Sequence, residues 1–469
     1  MRPARPALAA LLAVSVLAPP LPAQRSASAD PLLVPGVSAA LAEYRAARIA
    51  DVRYALDLDV SAPDTARGRV VVRFARRGGG DAILDFRGPR LERVSVNGRA
   101  VAAPDWNGAH LRIRAALLRA GENEVAADFA ALVAPSGASI IRYHDTTDDA
   151  DYLYTLLVPA DANQLFPSFD QPDLKARVTL SLTTPGGWSA VANGPPAARD
   201  SAAGRVRHRF RESEPISTYL VAFAAGPWAV VRDTSAGLEI AMYVRRSRAA
   251  EAEADSLIAQ NARAARWLET YFARPFPFAK LDFVLAPAFP FGGMEHPGAI
   301  FYSEERFVFR EPPTTVQRIA RANTIYHEIA HQWFGDLVTM RWFDDLWLKE
   351  GFATYMAAKM QAALDPPSDA WKTFYLRNKP AAYEVDASPG TTPVWQRLAN
   401  LDQAKSNYGP IVYNKAPGIL KQLEHLVGEE AFRRGLRRFL ERHAYANATW
   451  RDLLDAIGAE AGRPLDAWG

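Results

Sequence analysis

Residues 327–353 read H-E-I-A-H-Q-W-F-G-D-L-V-T-M-R-W-F-D-D-L-W-L-K-E-G-F-A. His327 and His331 stand four apart, so on a helix they project from one face, one turn above the other. That spacing lets two imidazoles grip one metal ion. Glu328 is rotated off their stripe and addresses water instead of metal. Glu350, after eighteen intervening residues, is placed to add a third ligand. Three protein ligands with an open fourth position describe a catalytic zinc site rather than a structural one. Two helices are predicted to carry it. Pro312, Pro313 and then Thr314 or Thr315 make a start signal, and Gly335 makes a stop. Val316, Ile319, Ala322, Tyr326, Ile329 and Trp333 recur between them at helical spacing. Leu346, Trp347, Leu348, Phe352 and Tyr355 frame a second helix around Glu350.

Upstream the texture changes. Val52–Val60 alternates apolar and polar, and Arg69–Phe74, Arg112–Arg114 and Val178–Leu182 behave similarly between Gly, Pro, Asn and Asp. Ala252–Phe272 is amphipathic at helical spacing, and helices dominate from Thr314 onward. The expected organisation is therefore an all-β domain over 40–232 and a mainly helical one over 233–469, a multidomain α+β chain. The Pro-, Thr- and Gly-rich stretch Asp386–Asn400 reads as a loop placed to border the cleft.

Composition narrows the chemistry. The 469 residues contain no cysteine, so thiolate ligands, cysteine nucleophiles and disulfides are excluded. Any zinc must be held by histidine and carboxylate. A net charge of +3, spread along the chain, gives no footprint for nucleic acid. The basic run Arg433–Leu440 reads as a solvated helix face with Leu436, Phe439 and Leu440 inward. Residues 1–29 read as a secretory signal, with Arg2 and Arg5 before an apolar Leu8–Leu17 and small residues near Ala23 and Ala29. The apolar stretch ends at Pro19-Pro20, short of the about 20 residues that a bilayer span needs. The expectation is an exported, periplasmic or extracellular protein without stable membrane insertion.

The run 327–353 resembles the zinc signature of the family M1 aminopeptidases, which are gluzincins. Three further segments carry the resemblance in order. F-P-S-F-D-Q-P-D-L-K-A (Phe166–Ala176) resembles a segment of their N-terminal β domain. F-G-G-M-E-H-P-G-A (Phe291–Ala299) resembles their exopeptidase motif, and V-Y-N-K (Val412–Lys415) their tyrosine motif, with Tyr413 sixty-three residues after Glu350. The resemblance implies a thermolysin-like catalytic domain that binds one Zn2+ per chain through His327, His331 and Glu350. It implies Glu328 as general base, Tyr413 as oxyanion donor, and Glu295, with Gly292, Gly293 and Met294, as the substrate-binding segment. The implied substrates are peptides with a free N-terminus.

Some positions depart from the family. Leu156 and Val158 stand where two polar residues are usual, which removes a second amine anchor. His296 replaces an Asn, and Ala416-Pro417-Gly418 follows Lys415 where Gly-Ala is usual. The family's usual members continue into a large C-terminal helical domain, whereas Gly469 falls near the end of what resembles the catalytic domain. That implies a reduced form or a fragment. Beside the aminopeptidase reading stand a zinc hydrolase of the same fold with endopeptidase or epoxide hydrolase activity, and a non-catalytic peptide-binding module.

Overall fold

The computed structural model describes residues 30–234 and 237–469; the expected signal at 1–29 lies outside them. The alternating segments form strands, because alternation buries one face and leaves the other wet. Ile49–Asp59 buries Val52, Tyr54, Leu56 and Leu58. It pairs antiparallel with Thr65–Arg76 and parallel with Ala176–Pro185. These belong to a twelve-stranded sheet. Its mainly antiparallel pairing matches an all-β first domain.

A second, five-stranded sheet is built from Ala229–Asp233, Ile240–Val244, Asp282–Ala286, Ala299–Ser303 and Gly293–Met294. Its first strand starts before the expected boundary at 232/233, which falls inside Ala229–Asp233. The change of sheet comes at residues 227–228. Strand pairing decides this. The edge strand Gly293–Met294 runs antiparallel to Ala299–Ser303 and brings the G-G-M-E-H segment to the helices.

The helix Thr315–His331 begins as expected. Thr314 accepts from the Gln317 N–H, and Gln317 answers to the Thr314 N–H, a reciprocal cap. Val316, counted on the apolar stripe, is 59 % exposed, because the first turn projects beyond the body of the protein. Trp333 lies past the last helical residue yet is fully buried. The next helix, Trp347–Leu364, is buried around most of its circumference, as expected of a helix inside a domain. The basic run lies on Glu429–Arg442, with Leu436, Phe439 and Leu440 inward and Arg434 and Arg438 paired with Glu460. Among the described residues no helix is long and apolar enough to cross a membrane.

Named contacts lock the β domain to the site. Lys175, in the F-P-S-F-D-Q-P-D-L-K-A segment, donates to the Asp336 and Leu337 carbonyls at 2.7 and 3.1 Å, just past the metal-site helix. Arg245 bridges Asp145 of the β domain at 2.6 Å and Glu304 at 2.5 Å. The 387–400 loop does not line the site cavity. Its end packs instead on the N-terminal segment, with Ala39 N–H on the Ala399 carbonyl and Leu401 N–H on Val37.

Candidate active site

The two helices deliver the three ligand candidates to one point. His327 and His331 Nε2 lie 3.0 Å apart, and Glu350 Oε2 lies 3.3 Å from each. At zinc–ligand distances of about 2.0–2.1 Å, neighbouring donors of a tetrahedron are about 3.3 Å apart. The triangle therefore has the size of one face of a zinc tetrahedron, and the donor set would suit the ion. Hydrogen bonding supports the same orientation. His331 Nδ1 is 2.9 Å from the Phe334 carbonyl, which as an acceptor takes the Nδ1 proton and leaves Nε2 as the lone-pair donor. His327 Nδ1 faces Thr354 Oγ1 at 3.4 Å. Electrostatics agree that the spot favours a cation. Burial opposes protonation of His331, but Glu295 and Glu350 outweigh it and lift the imidazole to about 10.

A second group, Glu295, Glu328 and His331, also brings ligand atoms within 4.8 Å of one another. Glu295 is committed elsewhere: the Lys349 ammonium donates to its Oε1 and, at 3.0 Å, to Glu350 Oε1. Against the burial penalty, Lys349 holds Glu295 below the usual carboxylate range. Glu350 still turns its Oε2 toward both imidazoles, so the histidine pair with Glu350 is the candidate metal site, and Glu295 is an ionised neighbour of it.

Glu328 reaches the same cavity. Burial pushes its carboxyl well above the usual range, against the pull of His331, which suits a group that must accept a proton. Tyr413 sits on the wide, π-helical turn Ile411–Lys415, its ring 6.1 Å from that of His327. Burial, then Glu350, raises its phenol well above 10, so it stays a hydrogen-bond donor. The cavity, about 370 Å³, is lined by His327, His331, Glu350, Glu295, Glu328 and Tyr413 with Gly292, Gly293 and Met294. A larger hollow of about 740 Å³, walled by Trp371, Tyr375 and Tyr383, holds none of the metal-ligand candidates; chemistry and not size selects the site.

Gly293 has a physical reason to be glycine. A Cβ there would meet Glu328 Cγ, Cδ and Oε1 at 2.6 Å. The close approach expected of this segment is thus made to the base itself. Val158 lines the cavity, but Leu156 does not. His296 is fully buried, edge-on to Phe301 at 4.5 Å, and neither ring nitrogen has a partner among the described residues. Burial drops it to about 3, so it is a neutral wall behind Glu295. Sequence reasoning missed Lys349 and Tyr408, both of which line the cavity. Lys349 was in view beside Glu350, but nothing local indicates that its partner is Glu295, fifty-four residues away.

Comparison with known proteins agrees with this geometry. Residues 89–220 match the peptidase M1 N-terminal domain and residues 258–468 the peptidase family M1 domain. The chain is 36 % identical over 440 residues to aminopeptidase N of Streptomyces lividans, covering 91 % of this chain and 50 % of that protein. It is 31 % identical over 323 residues to the leucyl aminopeptidase of Saccharolobus solfataricus, covering 69 % and 41 %. With aminopeptidase M1 of Arabidopsis thaliana the figures are 31 % over 327 residues, 69 % and 37 %. The chain spans half or less of the length of these relatives. The two domain matches in series and the metal triangle between two helices place this chain in peptidase family M1.

Proposed function

We propose that the chain is a zinc-dependent aminopeptidase that removes N-terminal residues from peptides. One observation carries the reading: a zinc-sized triangle of His327, His331 and Glu350 shares a cavity with a base, Glu328, and an anionic amine anchor, Glu295. Zinc bound there would supply Lewis acidity and a water of lowered pKa. Glu328 takes a proton from the attacking water and returns it to the leaving amine. Tyr413 donates to the oxyanion that develops on the scissile carbonyl. Glu295 accepts a charge-assisted hydrogen bond from the substrate α-ammonium, which fixes the first peptide bond at the reacting centre.

Val158, Met294, Phe291 and Pro290 give the cavity apolar lining. Each buried methylene contributes about 0.8 kcal/mol, and a basic side chain would lose hydration there without a further carboxylate to meet. Leu, Met, Phe or Ala are thus the preferred first residues; Arg or Lys substrates cleaved faster than Leu would count against this lining. Arg2, Arg5 and the apolar Leu8–Leu17 support export of the protein to the periplasm or the exterior, which fractionation of cells expressing the full chain would test.

The function is tested with one peptide, free and N-acetylated. Loss of cleavage on acetylation is the expected result. Equal cleavage would mean an endopeptidase of the same fold, a reading that the apolar Val158 favours by removing one amine anchor. No cleavage by zinc-loaded protein would leave a peptide-binding module.

A further inference from the structure

Lys349 is a cation buried in an anion-lined cavity, with its side chain 1 % exposed. It sits in the first turn of Trp347–Leu364, beside the metal ligand Glu350. Its ammonium touches two carboxylates with different tasks. One contact is Glu350 Oε1, the oxygen turned away from the histidines, whose partner Oε2 faces both imidazoles. The other is Glu295 Oε1. Two rings wall the ammonium, Tyr219 at 5.0 Å and Tyr408 at 5.9 Å from their centroids, so it has little room to leave. The Glu295 backbone is pinned separately, its carbonyl accepting from Gln332 Nε2 at 2.8 Å. The side chain is therefore the part whose direction Lys349 decides.

We infer that Lys349 is a positioning residue that ties the amine anchor to the metal ligand: one ammonium fixes Glu350 as a one-oxygen ligand and holds Glu295 so that the substrate's α-ammonium is taken by Oε2. The inference rests on the aminopeptidase reading and deepens it. Val158, which lines the cavity, offers the amine no second anchor, so recognition of the amine depends on the orientation of Glu295. Without the lysine, two buried carboxylates face each other with their repulsion no longer offset, and both turn from their tasks. Partners that orient a metal ligand in this way are worth about 10- to 100-fold in metal affinity.

The test compares wild type, Lys349→Met and Lys349→Arg on two quantities. The first is zinc affinity, from competition with a chelator. The second is the ratio of inhibition constants for leucine hydroxamate and its des-amino analogue, in which the metal-binding group cancels and the amine remains. Lys349→Met is expected to weaken zinc by about tenfold or more and to shrink the amine ratio by a similar factor, with Lys349→Arg restoring part of both. If Lys349→Met does not fold, Lys349→Gln, which keeps a donor without the charge, is read on the same quantities with the same expectation. A variant in which either quantity stays at the wild-type value overturns the bridge while leaving the aminopeptidase reading intact. If wild type itself does not discriminate between the two hydroxamates, the aminopeptidase reading fails and this inference fails with it.

Discussion

Gly293→Ala should silence the enzyme without unfolding it. The added Cβ would lie 2.6 Å from Glu328 Cγ, Cδ and Oε1, whereas carbon contacts settle near about 3.5–4.0 Å. Something must retreat by about 1 Å. The strand Gly293–Met294 is held by its ladder to Phe301 and Tyr302, so the yielding part is the Glu328 side chain, which ends in a rotatable carboxyl. Overpacking of this kind costs about 1–3 kcal/mol of stability, which a domain of this size tolerates. Catalysis is less forgiving, since a displacement of about 1 Å can cost about 100-fold. The three atoms nearest the new methyl group all belong to Glu328 and none to a metal-ligand candidate. The assay is turnover of an aminoacyl fluorogenic substrate alongside zinc content, with Gly292→Ala as control. At Gly292 the Cβ would meet Arg306 Nη1, the end of a flexible side chain, at 3.3 Å, and Thr324 Cγ2 at an ordinary 3.6 Å. Expected are full zinc, a kcat lower by about 100-fold for Gly293→Ala, and near-normal kcat for the control. Gly293→Ala with kcat within a few-fold of wild type would refute the argument that this glycine exists to seat the base.

Three further outcomes follow from the same geometry. Glu328→Gln should keep zinc and lose about 100- to 10,000-fold in kcat, since an amide accepts no proton from water; a loss below tenfold would mean that another group activates the water. Tyr413→Phe should lower kcat by about 100-fold with zinc content unchanged, because its donor is needed only as the oxyanion forms; a change confined to KM would make it a wall residue. At the domain junction, burial would raise Asp145, but hydrogen bonds from Ser247 and the Thr147 N–H and the Arg245 guanidinium carry it down to about 2. A depressed carboxylate stabilises the fold above its unfolded pKa of about 3.9 and loses that contribution as pH falls through its folded pKa. The stability gap between wild type and Asp145→Asn in urea titrations should therefore stand at about 2 kcal/mol above pH 4 and close toward pH 2. A gap independent of pH would mean that the ion pair is not its source.

How much of this was legible depended on the range of the interaction. The metal helices were legible because a ligand pair four apart, a Pro-Pro-Thr start and a 3.6-residue stripe are all local. The reciprocal cap of Thr314 with Gln317 follows from the same local chemistry. Long-range facts were not legible. Nothing near Leu153 indicates that its strand lies beside Phe223–Gly226, and nothing in W-L-K-E reveals that Lys349 reaches Glu295. Val316 misled because periodicity reports the direction of a side chain and not whether protein lies in that direction. Ala229–Asp233 opens the second sheet by pairing with Ile240–Val244, a partnership that its own residues A-V-V-R-D do not announce.

On the proposed function, His327, His331 and Glu350 hold one zinc ion and the chemistry happens there. The most direct test is elemental analysis of purified wild type and His331→Ala, paired with peptide hydrolysis before and after chelation. The expected result is one zinc per wild-type chain, activity abolished by chelator and restored by zinc, and neither metal nor activity in the variant. His331→Ala that retained one zinc per chain and normal hydrolysis would mean that the metal and the chemistry lie elsewhere.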